Sequence, residues 1–313
     1  MRAISQNVAG GPDVLELVET DRPEPRPTEI LVRVHAAGVN PVDWKTRARG
    51  TLVSGATPPY TVGWDVAGVV EAVGAGVTLF APGDEVYGMP RFPHAAGAYA
   101  DYVTAPSRHF AHSPAGLGHI HSAALPLAAL TAWQALVDTA DVRPGQRVLV
   151  HAAAGGVGHL AVQIAKARGA YVIGTASEPK HALLRDLGAD ELIDYTRQDF
   201  ADVVHDVDVV LDTIGGDYAA RSLRTLRPGG TLLLIVPPDD TFPADAARAA
   251  GIRATHVLVE PDHQGLREIT ALVESGRLRV EVDAVFPLEE AAKAHELGER
   301  GRTTGKIVLA VAP

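Results

Sequence analysis

The residue types and spacing that could do chemistry are concentrated in one short run, Ala153-Ala154-Gly155-Gly156-Val157-Gly158. Ala153, Gly155 and Gly158 reproduce the G-x-G-x-x-G pattern with alanine in the first place. Small residues at that spacing let a backbone turn sharply and approach a pyrophosphate, whose charge then sits on amides at a helix N-terminus. Glycine-rich turns are also ordinary punctuation, so the flanks decide. Before the run, Val148-Leu149-Val150 reads as a strand. After it, Val157, Leu160, Ala161, Ile164 and Ala165 fall at the spacing of an amphipathic helix, with Gly169 where a C-cap belongs. Strand, tight turn and helix together predict a dinucleotide site contacted by Ala153, Gly155, Gly156, Val157 and Gly158.

A second position bears on which dinucleotide. An NAD site uses a carboxylate at the end of the second strand to accept the ribose 2′-hydroxyl, and a carboxylate there repels a 2′-phosphate. The position falls on Ser177, 24 residues beyond Ala153, with Lys180 three residues further on. Ser177 can donate to a phosphate and Lys180 supplies positive charge. The plainer reading makes Ser177 the N-cap of a helix beginning Glu178-Pro179 and Lys180 a solvated face residue; the two readings are compatible. Glu178, an acid able to bond a ribose hydroxyl, weighs the other way, and the balance predicts NADPH. Open α/β sheets bind ligands at their strand ends, which adds Thr213, Ile214 and Val236 around the nicotinamide half.

The elements that must position these residues are legible in outline. A chain of 313 residues, 46% hydrophobic, predicts about two domains with real cores. Its 28 basic and 38 acidic side chains give −10, which argues against a nucleic-acid or anionic-membrane surface. There is no cysteine, so disulfides and thiolate metal ligands are excluded. No apolar signal core follows Met1, and apolar runs are strand-sized, so a cytoplasmic protein without membrane spans is expected. Residues 1–121 read as β-rich, with short runs at 14–18, 30–34, 66–70, 85–87 and 98–103 among Pro/Gly clusters. Residues 123–137 read as helical. Strands at 171–175, 192–193, 207–213, 231–236 and 256–259 then alternate with helices, the pattern of a doubly wound parallel sheet. A strand at 285–288, a helix from Glu289 to about Gly298 and a strand from Lys306 to Leu309 close the chain. His109-x-x-His112 and His119-x-His121 have ligand-like spacing, but no carboxylate cluster completes a metal set.

An ordered series of short landmarks spans the chain: Gly38-Val39-Asn40-Pro41-Val42-Asp43, Gly63-Trp64-Asp65-Val66-Ala67-Gly68, Gly83-Asp84-Glu85-Val86-Tyr87-Gly88, Ala129-Leu130-Thr131-Ala132-Trp133, the glycine-rich turn, and Thr304-Gly305-Lys306-Ile307-Val308-Leu309. Together they resemble the zinc-free, quinone-oxidoreductase branch of the medium-chain dehydrogenase/reductase superfamily. That resemblance implies an α/β fold in which a Rossmann doubly wound parallel sheet, residues 122–274, is inserted in a β-rich GroES-like substrate domain, residues 1–121 plus 275–313. It implies hydride transfer from NADPH to a quinone or to the β-carbon of an α,β-unsaturated carbonyl, in a homodimer joined through the edge strand at 256–259. By the same resemblance Val157 and Thr131 lie beside the nicotinamide and Tyr195 near the adenosine phosphate; a packing role for Thr131 and a core role for Tyr195 compete.

Zinc-dependent relatives carry Cys where this chain has Asn40 and a His-Glu pair where it has Trp64-Asp65, so no metal is expected. Asn40 is the first candidate for an amide donor to the substrate oxygen, against a plain turn role before Pro41. Asp43 is expected to pair with Lys45 or Arg47 and hold the loop rather than act in catalysis. Tyr60 either lines the cleft and donates a proton or is structural after Pro58-Pro59, and Trp64 forms a cleft wall. Two alternatives remain: an enoyl-thioester reductase, which wants a basic patch that this acidic chain does not advertise, and an NADPH-binding structural or regulatory protein with little turnover. Acceptor specificity is assigned to residues 44–60, 90–96 and 238–265, where no motif speaks.

Overall fold

In the computed structural model, which describes residues 1–50, 58–237 and 242–312, the strands between Gln146 and Val257 form one six-stranded parallel sheet. Its order is Glu191–Ile193, Tyr171–Thr175, Arg147–Val150, Val207–Asp212, Leu226–Leu234, Arg253–His256. The chain starts in the middle and winds outward first one way and then the other, which opens a crevice at the carboxyl ends of Arg147–Val150 and Val207–Asp212. Both faces of the central strands are covered, so their middles are aliphatic: Val148, Leu149, Val150, Val210, Leu211, Leu232 and Leu233 are fully buried. The helix Gly158–Ala167 buries Leu160, Ala161, Ile164 and Ala165 and ends where Gly169 turns left-handed at φ +82°. This unit comprises Thr131–Val259 with Arg277–Arg279.

The other compact unit is Met1–Leu130, Glu260–Gly276 and Val280–Pro313. Its seven-stranded sheet runs Val282–Pro287, Lys306–Ala310, Glu29–Val39, Asp65–Val73, Glu85–Gly88, Phe110–His112, with Tyr102–Pro106 also paired to Glu29–Val39. A three-stranded sheet of Glu16–Glu19, Arg2–Gln6 and Tyr60–Thr61 stands beside it in the chain order. Ile30, Val32, Val34, Val66, Val86, Phe110, Ile307 and Leu309 share one core. The register matters for function: Ile307 pairs with Val39 and Asp65 with Gly38, so Lys306, Asn40 and Asp65 converge from three distant parts of the chain. Gly38 permits that convergence, because a Cβ there would meet Ala123 O at 2.4 Å and Asp65 Oδ2 at 2.8 Å.

Several boundaries differ from the sequence reading. Residues 122–130 and 260–274 pack with the β-rich unit, which puts the divisions near 130 and 259 instead of 121 and 274. Leu127 N donates to Asp65 Oδ1 (2.7 Å), His263 Nδ1 to Phe110 O (2.6 Å) and Tyr87 Oη to Leu266 O (2.6 Å). A shift in composition marks where helices begin and not what they pack against. The stretch 123–137 is broken into His119–Ala123, Pro126–Trp133 and a π-helical Gln134–Thr139; Pro126, lacking an N–H, starts a new helix. The edge strand is Arg253–His256, ahead of 256–259, because Thr231–Leu234 pairs with those residues. The alternation that suggested a later strand, Val257 and Val259 buried around exposed Leu258, belongs to the segment that follows. No described helix is long and apolar enough to cross a membrane.

Candidate functional site

In the parallel-sheet unit the glycine-rich turn is fixed by its own backbone. Ala152 adopts a left-handed φ of +45°, Ala153 N donates to Thr175 O (3.0 Å), and Gly155 N to Ala152 O (2.8 Å). The alanine in the first fingerprint position is accommodated by a glycine opposite: a Cβ on Gly174 would lie 2.9 Å from the Ala153 Cβ. Gly158 has no such freedom, since its Cβ would stand 2.3 Å from Ala152 O and 2.8 Å from Ala153 Cα. Gly156 and Val157 complete the turn, and His159 Nδ1 donates to Gly155 O at 2.8 Å, pinning the loop to the helix start. A bare-backbone cradle at a helix N-terminus fits a pyrophosphate.

The other strand ends converge on the same edge. Ser177 stands at the start of the turn Glu178–Lys180, yet its hydroxyl makes no capping bond there. Tyr195 is 51% exposed, which removes the alternative of a core tyrosine. Thr213 Oγ1 donates to His151 O (3.0 Å), and Val236 packs 3.3 Å from where a Gly215 Cβ would stand. Thr213, Ile214 and Val236 are thus brought together. Two residues here escaped the sequence reading. Asp212 Oδ1 accepts from the backbone of Ile214 (2.8 Å) and Gly215 (2.9 Å), while its Oδ2 is buried without a partner and burial pushes the carboxyl up. Buried His151 meets Thr175 Oγ1 (3.3 Å) and Ser222 Oγ (3.0 Å), and burial pushes it down to about 3, so it is neutral. Each is a polar residue closing an aliphatic strand, the one signal available. Thr131 is 2% exposed within Pro126–Trp133.

In the β-rich unit the register builds a buried charged cluster. Lys306 Nζ donates to Asn40 Oδ1 and to Val39 O (3.1 Å) and lies 3.5 Å from Asp65 Oδ2. Asn40 Nδ2 donates to the same Asp65 oxygen at 2.8 Å. Asn40, Asp65 and Lys306 are 1%, 0% and 3% exposed. Burial raises the Asp65 carboxyl, opposed by Lys306 and by the hydrogen bond from Asn40. Zinc does not fit here: the ammonium of Lys306 already bonds Asn40 and lies against Asp65, and Trp64, which donates Nε1 to His94 O (2.8 Å), offers no lone pair. Among the described residues no group of three or more His, Cys, Asp or Glu could hold a metal. His109 accepts from Arg91 N (2.9 Å) and His112 lies edge-on to Phe80. Lys306 went unassigned in the sequence although a lone charge opening the strand Lys-Ile-Val-Leu-Ala was visible.

Asp43 does not pair with Lys45 or Arg47. At the third position of the helix Pro41–Arg49, its Oδ2 accepts from Asn40 N (2.6 Å) and Tyr99 Oη (2.9 Å), holding Asn40 at the helix start. Arg47, which only donates, reaches His295 Nδ1 (3.2 Å) and pairs with Glu299 (2.5 Å) instead. His295 Nε2 therefore carries the hydrogen and donates to Tyr99 Oη (3.2 Å), and Tyr99 donates to Asp43. Burial pushes Asp43 up to about 7 and His295 down to about 3. Tyr60 is buried, its hydroxyl donating to Thr46 O (3.3 Å), and burial raises it. That placement matches the structural reading and not a proton donor at a cleft mouth. Trp64 meets Phe92 edge-on at 5.7 Å beside an open cavity of ≈470 Å³ lined by Arg91, Phe92, His94, His109 and Glu260. Of the loops assigned to specificity, residues 51–57 and 238–241 lie outside the described residues.

Fold and turn define a nicotinamide-dinucleotide oxidoreductase of Rossmann plus GroES-like design. Residues 26–115 match the alcohol dehydrogenase GroES-like domain family, and residues 187–309 match the zinc-binding dehydrogenase family. The chain is 33% identical to the quinone oxidoreductase of Homo sapiens, over 99% of this chain and 97% of that one. It is 37% identical to a 2-haloacrylate reductase of Burkholderia sp, over 96% of each. The solved structure of Escherichia coli quinone oxidoreductase complexed with NADPH matches with a TM-score of 0.90 at 30% identity, covering 99% of this chain and 100% of that one. The chain belongs to the quinone oxidoreductase branch of the medium-chain dehydrogenase/reductase superfamily and is an NAD(P)H oxidoreductase.

Proposed function

We propose that this chain reduces quinones or α,β-unsaturated carbonyls with NADPH and without zinc. The observation that carries the reading is Lys306: an ammonium occupies the place between Asn40 and Asp65 that a metal would need. The acceptor oxygen, which gains negative charge, is served by the second Nδ2 hydrogen of Asn40, whose carbonyl is held by Lys306 and whose first hydrogen is held by Asp65. Bound NADPH supplies the hydride, and a proton from solvent completes the two-electron reduction. The turn from Ala153 to Gly158 holds the pyrophosphate, and Ser177 and Lys180 receive the 2′-phosphate. The similarity to a 2-haloacrylate reductase supports activated alkenes among the acceptors.

The test is NADPH oxidation with a simple quinone and, separately, a small enone, repeated with NADH and with a chelator. Turnover that prefers NADPH and ignores the chelator is expected. Loss of activity with the chelator, restored by zinc, would remove the zinc-free reading. Turnover of the enone alone would move the assignment towards enoyl reduction, and tight NADPH binding with no turnover on either acceptor to a binding protein.

A further inference from the structure

Strands Tyr171–Thr175 and Glu191–Ile193 lie side by side in parallel, Thr175 opposite Ile193, so the segments that follow them leave the sheet together. One segment is Ala176-Ser177-Glu178-Pro179-Lys180 and the other Asp194-Tyr195-Thr196-Arg197. They are tied by Ala176 N to Ile193 O (3.1 Å) and by a backbone hydrogen bond from Glu178 to the Asp194 carboxylate. Asp194 Oδ1 also accepts from Thr196 N (3.0 Å) and Thr196 Oγ1 (2.7 Å), and these bonds hold its carboxyl below the usual range.

Arg197 bridges the two segments. Its Nη2 contacts Glu178 Oε2 at 2.5 Å, and its Nε lies 3.5 Å from Asp194 Oδ2. The Arg197 and Glu178 side chains are 70% and 59% exposed, so this pair adds little to stability. Its position is what matters. Glu178 is the neighbour of Ser177, at the strand end where an acid would accept the ribose 2′-hydroxyl of NADH. With Arg197 on it, that carboxylate is occupied and its charge is offset. The local charge is then balanced: Glu178 and Asp194 against Lys180 and Arg197. Without Arg197 the pocket is net negative and repels a phosphate.

We propose that Arg197 determines cofactor choice, masking Glu178 from the ribose diol of NADH and joining Ser177 and Lys180 in receiving the 2′-phosphate of NADPH. This rests on the NADPH reading above and adds the residue that enforces it.

The experiment is dissociation constants for NADPH and NADH, read by nicotinamide fluorescence on the full chain with no acceptor present, for the wild type, Arg197→Ala and Glu178→Gln/Arg197→Ala. Arg197→Ala is expected to weaken NADPH about tenfold or more and to leave NADH equal or tighter. The double variant, which removes the exposed acid as well, is expected to regain part of the NADPH affinity and none of any gain for NADH. Equal losses for both cofactors, or no change in either, would overturn the proposal. A wild type that binds NADH more tightly than NADPH would remove the NADPH reading instead. The role of Arg197 is then judged by whether its removal changes the ratio of the two constants. Both substitutions are on exposed side chains, and an unchanged melting temperature separates any effect from misfolding.

Discussion

At the scale of single residues, Lys306 carries the most weight. A buried ammonium is tolerated only with full hydrogen bonding and a counter-charge, and Val39 O, Asn40 Oδ1 and Asp65 Oδ2 supply both. Removing one member strands the other. Lys306→Met is expected to destabilise by about 3–5 kcal/mol, because Asp65 is left buried without its counter-charge. Asp65→Asn/Lys306→Met, which removes both charges, is expected to recover at least half of that loss in urea unfolding. If the double variant is as unstable as the single one, the cluster is held by packing and not by charge. Asn40 and Asp65 were prominent in the sequence, but nothing in it set them against Lys306. Their partnership is a matter of register between strands far apart in the chain.

At the scale of elements, the strand, turn and helix around Gly158 were readable because every signal there is local. The departure at Ala153 became intelligible only with Gly174 beside it, a residue of the neighbouring strand. Gly158→Ala places a methyl against the Ala152 carbonyl and the Ala153 backbone. It is expected to destabilise by about 1–3 kcal/mol and to weaken nicotinamide-dinucleotide binding more than the same change at Gly155, whose added Cβ meets only Ala152 O at 3.2 Å. Titrating the cofactor into both variants checks this, and equal losses would count against the close approach at Gly158. The edge strand shows the opposite case. Its residues Arg253-Ala254-Thr255-His256 carry no clear β pattern, and pairing with Thr231–Leu234 decides them.

At the scale of the whole molecule, buried titratable groups shape the response to pH. His151 and His295 sit near 3 and His109 near 4, all below their ordinary value of 6.5. Unfolded, these imidazoles take up protons that the folded chain refuses. Their stabilisation is therefore complete above pH 6.5 and lost as pH falls, at up to about 1.4 kcal/mol per pH unit for each group. Asp43 acts in the other direction: at about 7 it lies above its ordinary 3.8, so its contribution is present at low pH and lost as pH rises through 7. Melting temperatures from pH 8 to 4 are expected to fall steeply below 6. Asp43→Asn should gain on the wild type between pH 5 and 8; a constant difference would mean that Asp43 does not titrate there. Arg253–His256 also ends its sheet with one side unpaired among the described residues. We propose a homodimer through that edge. Light scattering at micromolar concentration should give twice 32.8 kDa, and a monomer mass would remove the proposal.

The sequence by itself determined what short-range physics controls. Periodicity and turn chemistry specified the alternating strands and helices and the glycine-rich turn, and the absence of cysteine barred thiolate zinc ligands. The landmark order gave the family. Tertiary structure decided what depends on residues far apart in the chain. It sent Arg47 to Glu299 and not to Asp43, placed Tyr60 in the core, moved residues 260–274 to the β-rich unit, and set Arg197 on Glu178. The physical reason is the same each time: a charged or polar side chain takes the partner that folding brings within reach, and strand register, which no local signal encodes, sets that reach.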